Sequence, residues 1–419
     1  MEERDQISEL PDPLLHLILS DHSIKVAFCT SVLSKRWNHI CNVVPVLDFE
    51  DAIRGLGNAS KVKKFMISVE KILRDRNQEA NIKKFTFKCR KYMKPSRAQN
   101  HYLLFLRLFL LLSHLFRLIE TEVTPRIRFP KYISFPTLKI LTLNEITFSG
   151  KCEKLFAGCH VLEELSLCEC TFPLREFCIS CPMLKTLIIN NSEGEEALIG
   201  GCALKINAPN LVSLYYWSNL AEDYIMSTFV ALVKADFTFL IPGNDTMEQK
   251  IAASKFLGAV SHVKHLSIFA LPIQDLLVSE DLLNNMPIFH KLNRLEVFRV
   301  KGDKTVVDLL KGSPNLEYFE FRLLLDDDYS EDDIEGFHTS FPHLKSVSFE
   351  EHYGHPRELK WMKLILKNAI ALKRMNIGNC LEGLETRQAF MEEIHSVPRV
   401  SSFCVLEVFS GIVLSRSRD

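Results

Sequence analysis

Cysteine is the residue type whose spacing in this sequence comes nearest to a chemical site. The group consists of Cys168, Cys170, Cys178 and Cys181, with Cys152 and Cys159 upstream. Four thiolates at such spacing could bind a zinc ion in tetrahedral geometry. However, Cys159 and Cys181 both stand three residues before a leucine that opens a Leu-rich segment. We therefore expect these two cysteines to fill buried turns, and we expect no metal or other cofactor.

Catalytic motifs are absent from the full sequence. It contains no G-x-S-x-G nucleophile motif, no glycine-rich phosphate loop ending in Gly-Lys-Ser/Thr, and no H-E-x-x-H pair of metal ligands. The 14 histidines also lack the spaced partners that an acid–base or metal site would need. We therefore predict a protein without catalytic activity of its own.

The charge balance limits the classes of partner. Lys and Arg number 51 and Asp and Glu 52, so the formal net charge at pH 7 is -1. Proteins that bind nucleic acid through a broadly basic surface carry a strong positive charge, so we expect no nucleic-acid partner. The N-terminus is charged where a secretory signal would be apolar, and the most apolar stretch, 102–112, contains Arg107 and is short for a bilayer. We expect an intracellular protein of the nucleus or cytoplasm, with no membrane partner.

Two segments depart from this neutral average. Residues 54–97 are rich in Lys and Arg and hold only Glu70, Asp75 and Glu79 as acids. We favour a solvated helix face over a phosphate-binding patch there, because few aromatic residues are present for base stacking. Residues 326–335 contain seven acids and no base. Repulsion among these carboxylates predicts a mobile loop.

A short leucine-rich pattern recurs through most of the chain. Its clearest form is Leu-x-x-Leu-x-Leu, often with a Pro two residues before the first Leu. The copies are PTLKILTL at 136–143, HVLEELSL at 160–167, PMLKTLII at 182–189, PNLVSLYY at 209–216, HVKHLSI from His262, KLNRLEV from Lys291, PNLEYFEF at 314–321, PHLKSVSF at 342–349 and IALKRMNI at 370–377. Weaker copies stand at 81–87 and 232–237.

The first apolar residue of each copy, called the anchor from here on, recurs at close to the roughly 20–29-residue period of leucine-rich repeats. The anchors are Leu138, Leu162, Leu184, Leu211, Leu232, Val263, Leu292, Leu316, Leu344 and Leu372. Alternate residues of a strand point to opposite sides, so Leu-x-Leu buries one row and exposes the other. Because one repeat cannot bury its row alone, we predict an α/β solenoid of stacked parallel strands. The alternative is scattered amphipathic strands in an ordinary α/β domain.

Strand residues that face away from the predicted core are candidates for binding a partner. Aromatic residues and Arg are the types that protein interfaces favour. The candidates are Tyr215, Trp217, Arg294, Glu296, Tyr318, Glu320 and Arg322. Ordinary surface filling is an equally good explanation of this set.

Residues 5–49 follow a helical pattern instead. Asp12 and Pro13 predict a helix start, with Asp as the cap and Pro at the first helical position. The apolar residues form two stripes, one of Leu14, Leu15, Ile18 and Leu19, and one of Val26, Cys29, Leu33, Trp37 and Ile40. Helices this short and apolar need a partner, which is either the end of the repeat array or another protein.

This region resembles the F-box at the head of plant F-box proteins with leucine-rich repeats. The match is carried by DQISELPDPLLHLILS at 5–20 and TSVLSKRWNHICNVVPVLDFED at 30–51. The segment FPHLKSVSFEEHYGHPRELKWMKLILKNAIALKRMNI at 341–377 is similar to the FBD motif of the same family. Together with the repeats, the resemblance covers almost the whole chain.

The resemblance implies an adaptor role in a cullin-based ubiquitin ligase. In this family the F-box binds the Skp-type adaptor, and through it the cullin, while the repeats hold the protein to be ubiquitinated. The residues expected to bind the adaptor are Leu10, Pro11, Leu14, Leu15, Ile18, Val32, Leu33 and Trp37. Part of this set is expected to form the small core of the helical unit instead.

The resemblance has one departure after the first helix. There the family usually carries an apolar Leu-Leu-Pro turn, and this chain has Asp21-His22-Ser23. A second hypothesis is therefore a repeat scaffold that binds a protein or small ligand, with a decayed F-box and no role in ubiquitination. We expect an F-box domain at 1–49, repeats at 50–336, an FBD-type repeat region at 337–410 and a tail at 411–419.

Overall fold

The structure is a computed structural model of the chain. It describes residues 9–20, 29–30, 33–48, 82–88, 137–144, 148, 156, 158–191, 201–227, 229–240, 246–269, 287–300, 303–323, 340–352, 355–379 and 384–410. The chain forms two compact units. The first is Met1–Leu211 with Ala221–Val230, and the second is Val212–Leu220 with Ala231–Asp419.

Short strands dominate the described residues. The helices are α1 (Asp12–Ser20), α2 (Lys35–Cys41), α3 (Met247–Val260), α4 (Asp303–Lys311), α5 (Pro356–Asn368) and α6 (Leu384–Ser396). The strands are β1 (Val46–Asp48), β2 (Lys84–Lys88), β3 (Ile140–Asn144), β4 (Glu164–Cys168), β5 (Glu176–Ser180), β6 (Thr186–Asn190), β7 (Ala203–Asn207), β8 (Ser213–Ser218), β9 (Asp223–Met226), β10 (Lys234–Phe239), β11 (His265–Phe269), β12 (Arg294–Val300), β13 (Tyr318–Leu323), β14 (Ser346–His352), β15 (Arg374–Asn379) and β16 (Val405–Ser410). None of these helices combines the length and apolar character needed to cross a bilayer.

Parallel pairing of one strand per repeat builds the main sheet of the first unit. Its order is β1-β2-β3-β4-β6. One buried residue from each strand stands beside its equivalent in the next, forming the core row Leu47, Phe85, Leu141, Leu165 and Leu187. This confirms the parallel-strand repeat architecture predicted from the Leu-x-Leu alternation. Strand β1 lies within the segment assigned to the F-box domain, and the domain boundaries stay predictions.

A second sheet, β5-β7-β9, forms in the segments between the repeat strands, and the leucine pattern did not predict it. Phe177, Leu204 and Tyr224 occupy equivalent buried positions on its three strands. Phe177 also packs against Phe148 and Phe172, with ring centroids 5.0 and 4.6 Å away. The segments that return from one repeat to the next therefore have an ordered apolar core of their own.

Most described repeats are joined to the preceding one by the same pair of backbone hydrogen bonds. The carbonyl oxygen of Lys139, the residue after an anchor, accepts the N–H groups of Glu163 and Glu164 at 2.8 and 2.9 Å. Paired bonds of this kind recur at the carbonyl oxygens of Lys83, Glu163, Val212, Val233, Lys264, Asn293, Glu317 and Lys345. Two bonds to one oxygen fix the register of the incoming strand.

The turn that leads into each strand also recurs. The anchor N–H donates to the carbonyl three residues earlier, as from Leu162 to Cys159 at 3.2 Å. The residues at that earlier position are buried, and they are Cys159, Cys181, Ala208, Val260, Phe289, Ser313, Phe341 and Ala369. All ten predicted anchors are buried, the most exposed being Leu316 at 5%.

In the second unit the parallel strands follow the order β8-β10-β11-β12-β13-β14-β15-β16. Helices α3 to α6 lie in the segments between strands. Capping boxes start two of them, Thr246 with Gln249 at α3 and His355 with Glu358 at α5. Before the last strand, the buried Cys404 makes the same turn, its N–H donating to the Ser401 carbonyl at 3.4 Å, but it stands one residue closer to its strand than the anchors do. The leucine pattern missed this repeat because a cysteine opens it and its spacing is one residue shorter.

Aromatic contacts hold α3 against the strands of the second unit. The ring of Phe256 lies 5.3 Å from Tyr216, 5.1 Å from Phe237 and 5.1 Å from Phe239, measured between centroids. All four side chains are fully buried. Burial of an apolar side chain of this size contributes about 1.5–3 kcal/mol. The helix is therefore held by its apolar face and not by its capping box alone.

A buried charge network connects α4 with α5. Asp303, at the start of α4, is 3% exposed. Its Oδ1 atom accepts from Arg357 Nε at 2.7 Å and from Trp361 Nε1 at 2.7 Å, and Arg357 Nη2 lies 2.6 Å away. Removal of one member of such a pair leaves an uncompensated buried charge on the other.

Replacement of Asp303 by Asn should therefore lower the free energy of unfolding of the second unit by about 3–5 kcal/mol. The measurement is urea denaturation followed by tryptophan fluorescence. Glu317→Gln is the matched control, because it breaks an exposed pair with Lys345 at 2.7 Å in the same unit. We expect no measurable loss for the control. Equal losses in both variants would contradict the importance assigned to the buried pair.

Candidate functional site

A small apolar core holds α1 and α2 together. Its buried members, each at most 5% exposed, are Leu15, Leu19, Trp37, Ile40, Cys41 and Val44. Leu10 packs against them and is partly buried. Burial also raises the pKa of the Cys41 thiol. In this structure Leu15 and Trp37, both assigned to adaptor binding from the sequence, form part of the internal core.

The first helix starts one residue earlier than the sequence pattern suggested. The carbonyl of Pro11 accepts the N–H of Leu15 at 3.2 Å, so Pro11 holds the cap position that we assigned to Asp12. The Asp12 carboxylate instead accepts from Arg36 Nε at 3.0 Å and Nη2 at 2.6 Å, and Arg36 Nη2 also donates to the Leu10 carbonyl. Arg36 thereby fixes α2 to the start of α1.

The second helix starts at a serine cap. The Ser34 hydroxyl oxygen accepts the N–H of Trp37 at 3.2 Å. The expected stripe from Cys29 through Leu33 into this helix is wrong, since Leu33 lies before the cap and both residues are exposed. A serine cap interrupts the helical spacing between Leu33 and Trp37, which the apolar pattern alone did not show. Val26 lies outside the described residues.

Large apolar side chains project from α1 into solvent. Leu14, Leu17 and Ile18 are 47%, 63% and 42% exposed, and Leu33 before α2 is 65% exposed. The three residues on α1 stand at i, i+3 and i+4, so they share one side of the helix. We call these three residues the outward face. Clustered exposed apolar residues indicate a protein interaction site, whereas single ones are common on any surface.

The structure divides the predicted adaptor-binding set. Pro11, Leu14, Ile18 and Leu33 are exposed, Leu10 is half-buried, Leu15 and Trp37 are buried, and Val32 lies outside the described residues together with Asp21-His22-Ser23. The sequence analysis missed Leu17. Its spacing of three residues from Leu14 could have indicated it, because that spacing places Leu17 on the same side of a helix as Leu14.

The cysteines do not assemble into a metal site in the part of the chain that the structure describes. No group of three or more Cys, His, Asp or Glu side chains there is placed to hold a metal ion. Cys159 and Cys181 occupy the repeated turn position. Burial, with a smaller effect of the nearby Cys159 and Cys178, raises the pKa of Cys181 to about 12. Cys181 is therefore a neutral thiol at physiological pH.

On the second unit, the strand residues that alternate with the core rows form a polar and aromatic sheet face. Strand register arranges them in three rows. We call them the basic row (Lys234, His265, Arg294), the acidic row (Asp236, Glu296, Glu320) and the aromatic row (Trp217, Phe269, Phe298). The residues that we predicted for recognition lie on this face and none is buried: Tyr215, Trp217, Arg294, Glu296, Tyr318, Glu320 and Arg322.

Arg294 connects the basic and acidic rows. Its Nε atom donates to Glu296 at 2.6 Å, and its Nη2 atom donates to Glu320 at 3.1 Å. Burial is the largest single effect and lowers the pKa of Arg294, but the two carboxylates together outweigh it and the pKa is raised. The guanidinium is thus fixed by two neighbouring strands.

The aromatic row is hydrogen-bonded to a buried carboxylate. Trp217 Nε1 donates to Asp236 Oδ1 at 2.8 Å. The Trp217 and Phe269 ring centroids are 6.1 Å apart, and those of Phe269 and Phe298 are 5.2 Å apart. Asp236, Phe269 and Phe298 were not among the residues predicted for recognition, although they occupy the same alternating strand positions. The sequence alone could not predict that Asp236 is buried, because its burial depends on the hydrogen bond from the Trp217 indole.

The charge environment of His265 is mostly positive. Burial lowers the pKa of His265, and Arg294, Lys234 and Lys264 lower it further, while Glu296 opposes them. Lys234 lies over the Tyr215 ring, 5.0 Å from its centroid. His265 is therefore more resistant to protonation than an ordinary surface histidine.

The two charged segments noted in the sequence lie mostly outside the described residues. The acidic residues at 326–335 lie outside the described residues, and so do residues 54–97 except 82–88. Within 82–88, Phe85 occupies a core position of β2.

Comparison with known proteins identifies the class of repeat and then the family. A family model described as "FBD-associated F-box protein At5g56370, LRR repeats" matches residues 72–236. Among solved structures, an internalin from Listeria monocytogenes aligns with 66% of this chain and 82% of its own at 14% identity, with a TM-score of 0.25. The leucine-rich-repeat assignment rests on the strand pairing and the family model.

Three proteins of Arabidopsis thaliana are similar over most of their length. F-box/LRR-repeat protein At4g14103 is 31% identical over 361 residues, covering 77% of this chain and 92% of its own. F-box/LRR-repeat protein At3g58900 is 30% identical over 57% of this chain and 80% of its own, and putative F-box protein At3g58860 is 27% identical over 75% and 74%. The chain belongs to the plant F-box/LRR-repeat family, as the resemblance in the sequence implied.

The positive surroundings of His265 predict a defined pH effect. Between its ordinary pKa of 6.5 and the lower pKa of the folded state, the unfolded chain binds a proton that the folded chain does not. Stability from this group is therefore present above pH 6.5 and is lost as the pH falls through that window.

Titration of the His265 ring by NMR checks this effect. Arg294→Gln should raise the pKa of His265, because it removes the strongest of the neighbouring charges that lower it. Arg374→Gln is the control, since Arg374 occupies the same strand position on β15 and is not among the charges that act on His265. An unchanged pKa in Arg294→Gln would refute the electrostatic account.

Proposed function

We propose that this protein is the substrate-recognition subunit of an Skp-cullin-F-box ubiquitin ligase. In this proposal α1 and α2 bind the Skp-type adaptor, and through it the cullin, while the repeats bind the protein to be ubiquitinated. The observation that carries the proposal is the outward face of α1 in a chain of the F-box/LRR-repeat family. The exposed apolar side chains there are Leu14, Leu17 and Ile18.

The outward face has the energetic properties of a docking site. Burying an apolar side chain of this size contributes about 1.5–3 kcal/mol, of which a half-exposed residue has already gained part. The side chains are also held in place before binding, because Leu15 and Leu19 fix the opposite side of α1 in the core and Arg36 fixes its start. A rigid surface loses less conformational entropy on association.

The sheet face supports the second half of the proposal. It presents aromatic residues and Arg, which are the residue types that protein interfaces favour. The absence of catalytic motifs from the sequence agrees with a non-catalytic subunit, with ubiquitin transfer carried out by other components of the complex. We also propose a location in the nucleus or cytoplasm, which a fluorescent fusion would test.

The adaptor half is tested by the double variant Leu14→Asp plus Ile18→Asp. Burying two unpaired carboxylates against an apolar partner should weaken adaptor binding more than about a hundredfold. Both residues are exposed in the free chain, so the variant should fold. Trp37 is unsuitable for this test because its loss would disrupt the core. The measurement is co-purification with a plant Skp-type adaptor, followed by titration of the purified pair.

Val230→Asp is the matched control for the double variant. Val230 is 80% exposed and lies outside α1 and α2, so it receives one of the two added Asp side chains without touching α1. We expect wild-type affinity for the control. If the unmodified chain does not bind the adaptor, or if the double variant binds as well as the control, the repeat-scaffold hypothesis with a decayed F-box replaces this proposal.

A further inference from the structure

We propose that the sheet face of the second unit binds an extended protein segment in which an acidic or phosphorylated residue stands four residues from an apolar one. The inference rests on the proposed function, because the segment would belong to the protein that the repeats hold. It adds the chemistry of that segment, which three rows of side chains specify.

At the Lys234 end of the basic row, the sheet face carries positive charge that no carboxylate among the described residues pairs with. Lys234 contacts the Tyr215 ring, and no carboxylate among the described residues pairs with Lys234 or with the exposed Lys264. His265, which stands beside Lys234 in the strand register and directly follows Lys264 in the chain, is exposed. An acidic group placed here would meet two free ammonium groups and an imidazole that it would help to protonate.

The acidic row, by contrast, is engaged within the protein. Glu296 and Glu320 both accept from Arg294, and Asp236 is buried and accepts from Trp217. These carboxylates therefore compete little for the free lysines. Because like charges repel, the residue of the bound segment that lies over the acidic row should be neutral or basic and not a second acid.

The geometry of the strands sets the spacing of the bound segment. Residues advance about 3.3 Å along a parallel strand, so successive rows on one face are separated by about 6.6 Å and the basic and aromatic rows by about 13 Å. An extended peptide spans that distance in four residues. The expected sequence is therefore an acid, a polar or basic residue two positions on, and an apolar residue two positions beyond that.

A protein segment fits these rows better than a nucleic acid does. A nucleic acid carries a phosphate on every nucleotide, so a strand crossing the face would bring phosphates over the acidic row as well as the basic row. A peptide can carry a single negative group at one end and an aromatic ring at the other. The alternation of charge therefore favours a peptide.

Fluorescence anisotropy with the full chain tests this inference. The first probe is a fluorescein-labelled peptide of sequence Gly-Gly-Asp-Ser-Lys-Ser-Phe-Gly-Gly. The second probe replaces Asp by phosphoserine, which carries about −1.5 to −2 charges at pH 7. The third has the composition of the first but places Asp directly before Phe. We expect binding of the first or second probe and weaker binding of the third.

The variant that carries the test is Lys234→Glu plus Lys264→Glu. It should weaken binding of the acidic probes about tenfold or more, because attraction becomes repulsion at two sites. Lys373→Glu is the matched control, since Lys373 is an exposed lysine that directly follows an anchor, as Lys264 does. We expect the control to bind like the unmodified chain. Tighter binding of the phosphoserine probe would identify a phosphorylated segment, and equal binding would identify a carboxylate.

Three results would overturn the inference. They are no binding of either acidic probe, equal binding by the charge-reversed variant and the control, and stronger binding of a single-stranded RNA of matched length. The adaptor titration is repeated on the same charge-reversed variant. Retained adaptor binding together with lost peptide binding separates this inference from the proposed function, because each then succeeds or fails alone.

Discussion

In most repeats, one carbonyl oxygen accepts two successive backbone N–H groups from the next repeat, and this contact sets the geometry of the sheet face. It sets the register of each strand against its neighbour, as at Lys139 with Glu163 and Glu164. Once register is fixed, alternate side chains must fall into rows. The buried rows stabilise each unit, and the rows on the opposite side place charged and aromatic groups at defined separations. The chemistry of the sheet face thus follows from a backbone constraint.

The helical unit presents exposed apolar side chains, whereas the sheet face presents charged and aromatic side chains that are held by hydrogen bonds. On α1, Leu14, Leu17 and Ile18 are apolar and exposed, so covering them with another molecule gains free energy. On the sheet face, Arg294 and Trp217 are already held by carboxylates. Such pairs add little to binding affinity, but they fix the positions of the charged groups and so select which charges on a partner can bind. In the proposed function, the face on α1 supplies affinity and the sheet face supplies specificity.

The parts of the fold that depend on a repeated apolar side chain could be predicted from the sequence. The ten anchors are buried as expected, because a Leu or Val at a regular period has one physical explanation. The strands β5, β7 and β9 and the repeat led by Cys404 could not be predicted, because strand pairing there does not require a leucine.

The positions of the candidate residues on their helix and strands could also be predicted only in part, and their functional roles stay predictions. Amphipathic spacing correctly placed apolar residues on α1, but it could not tell Leu15, which is buried, from Leu14, which is exposed. That distinction depends on where α2 packs. Strand alternation likewise identified Trp217 as facing away from the core. It did not identify Asp236, because an acidic residue is expected to be solvent-exposed unless its hydrogen-bond donor is known.

We propose that the outward face of α1 binds the adaptor. Hydrogen–deuterium exchange of the full chain with and without a plant Skp-type adaptor measures this binding site by site. Binding there should slow exchange in α1 and around Leu33 and leave strands β10 to β13 unchanged. Protection confined to those strands, or no protection anywhere at adaptor concentrations that saturate a known F-box protein, would contradict it.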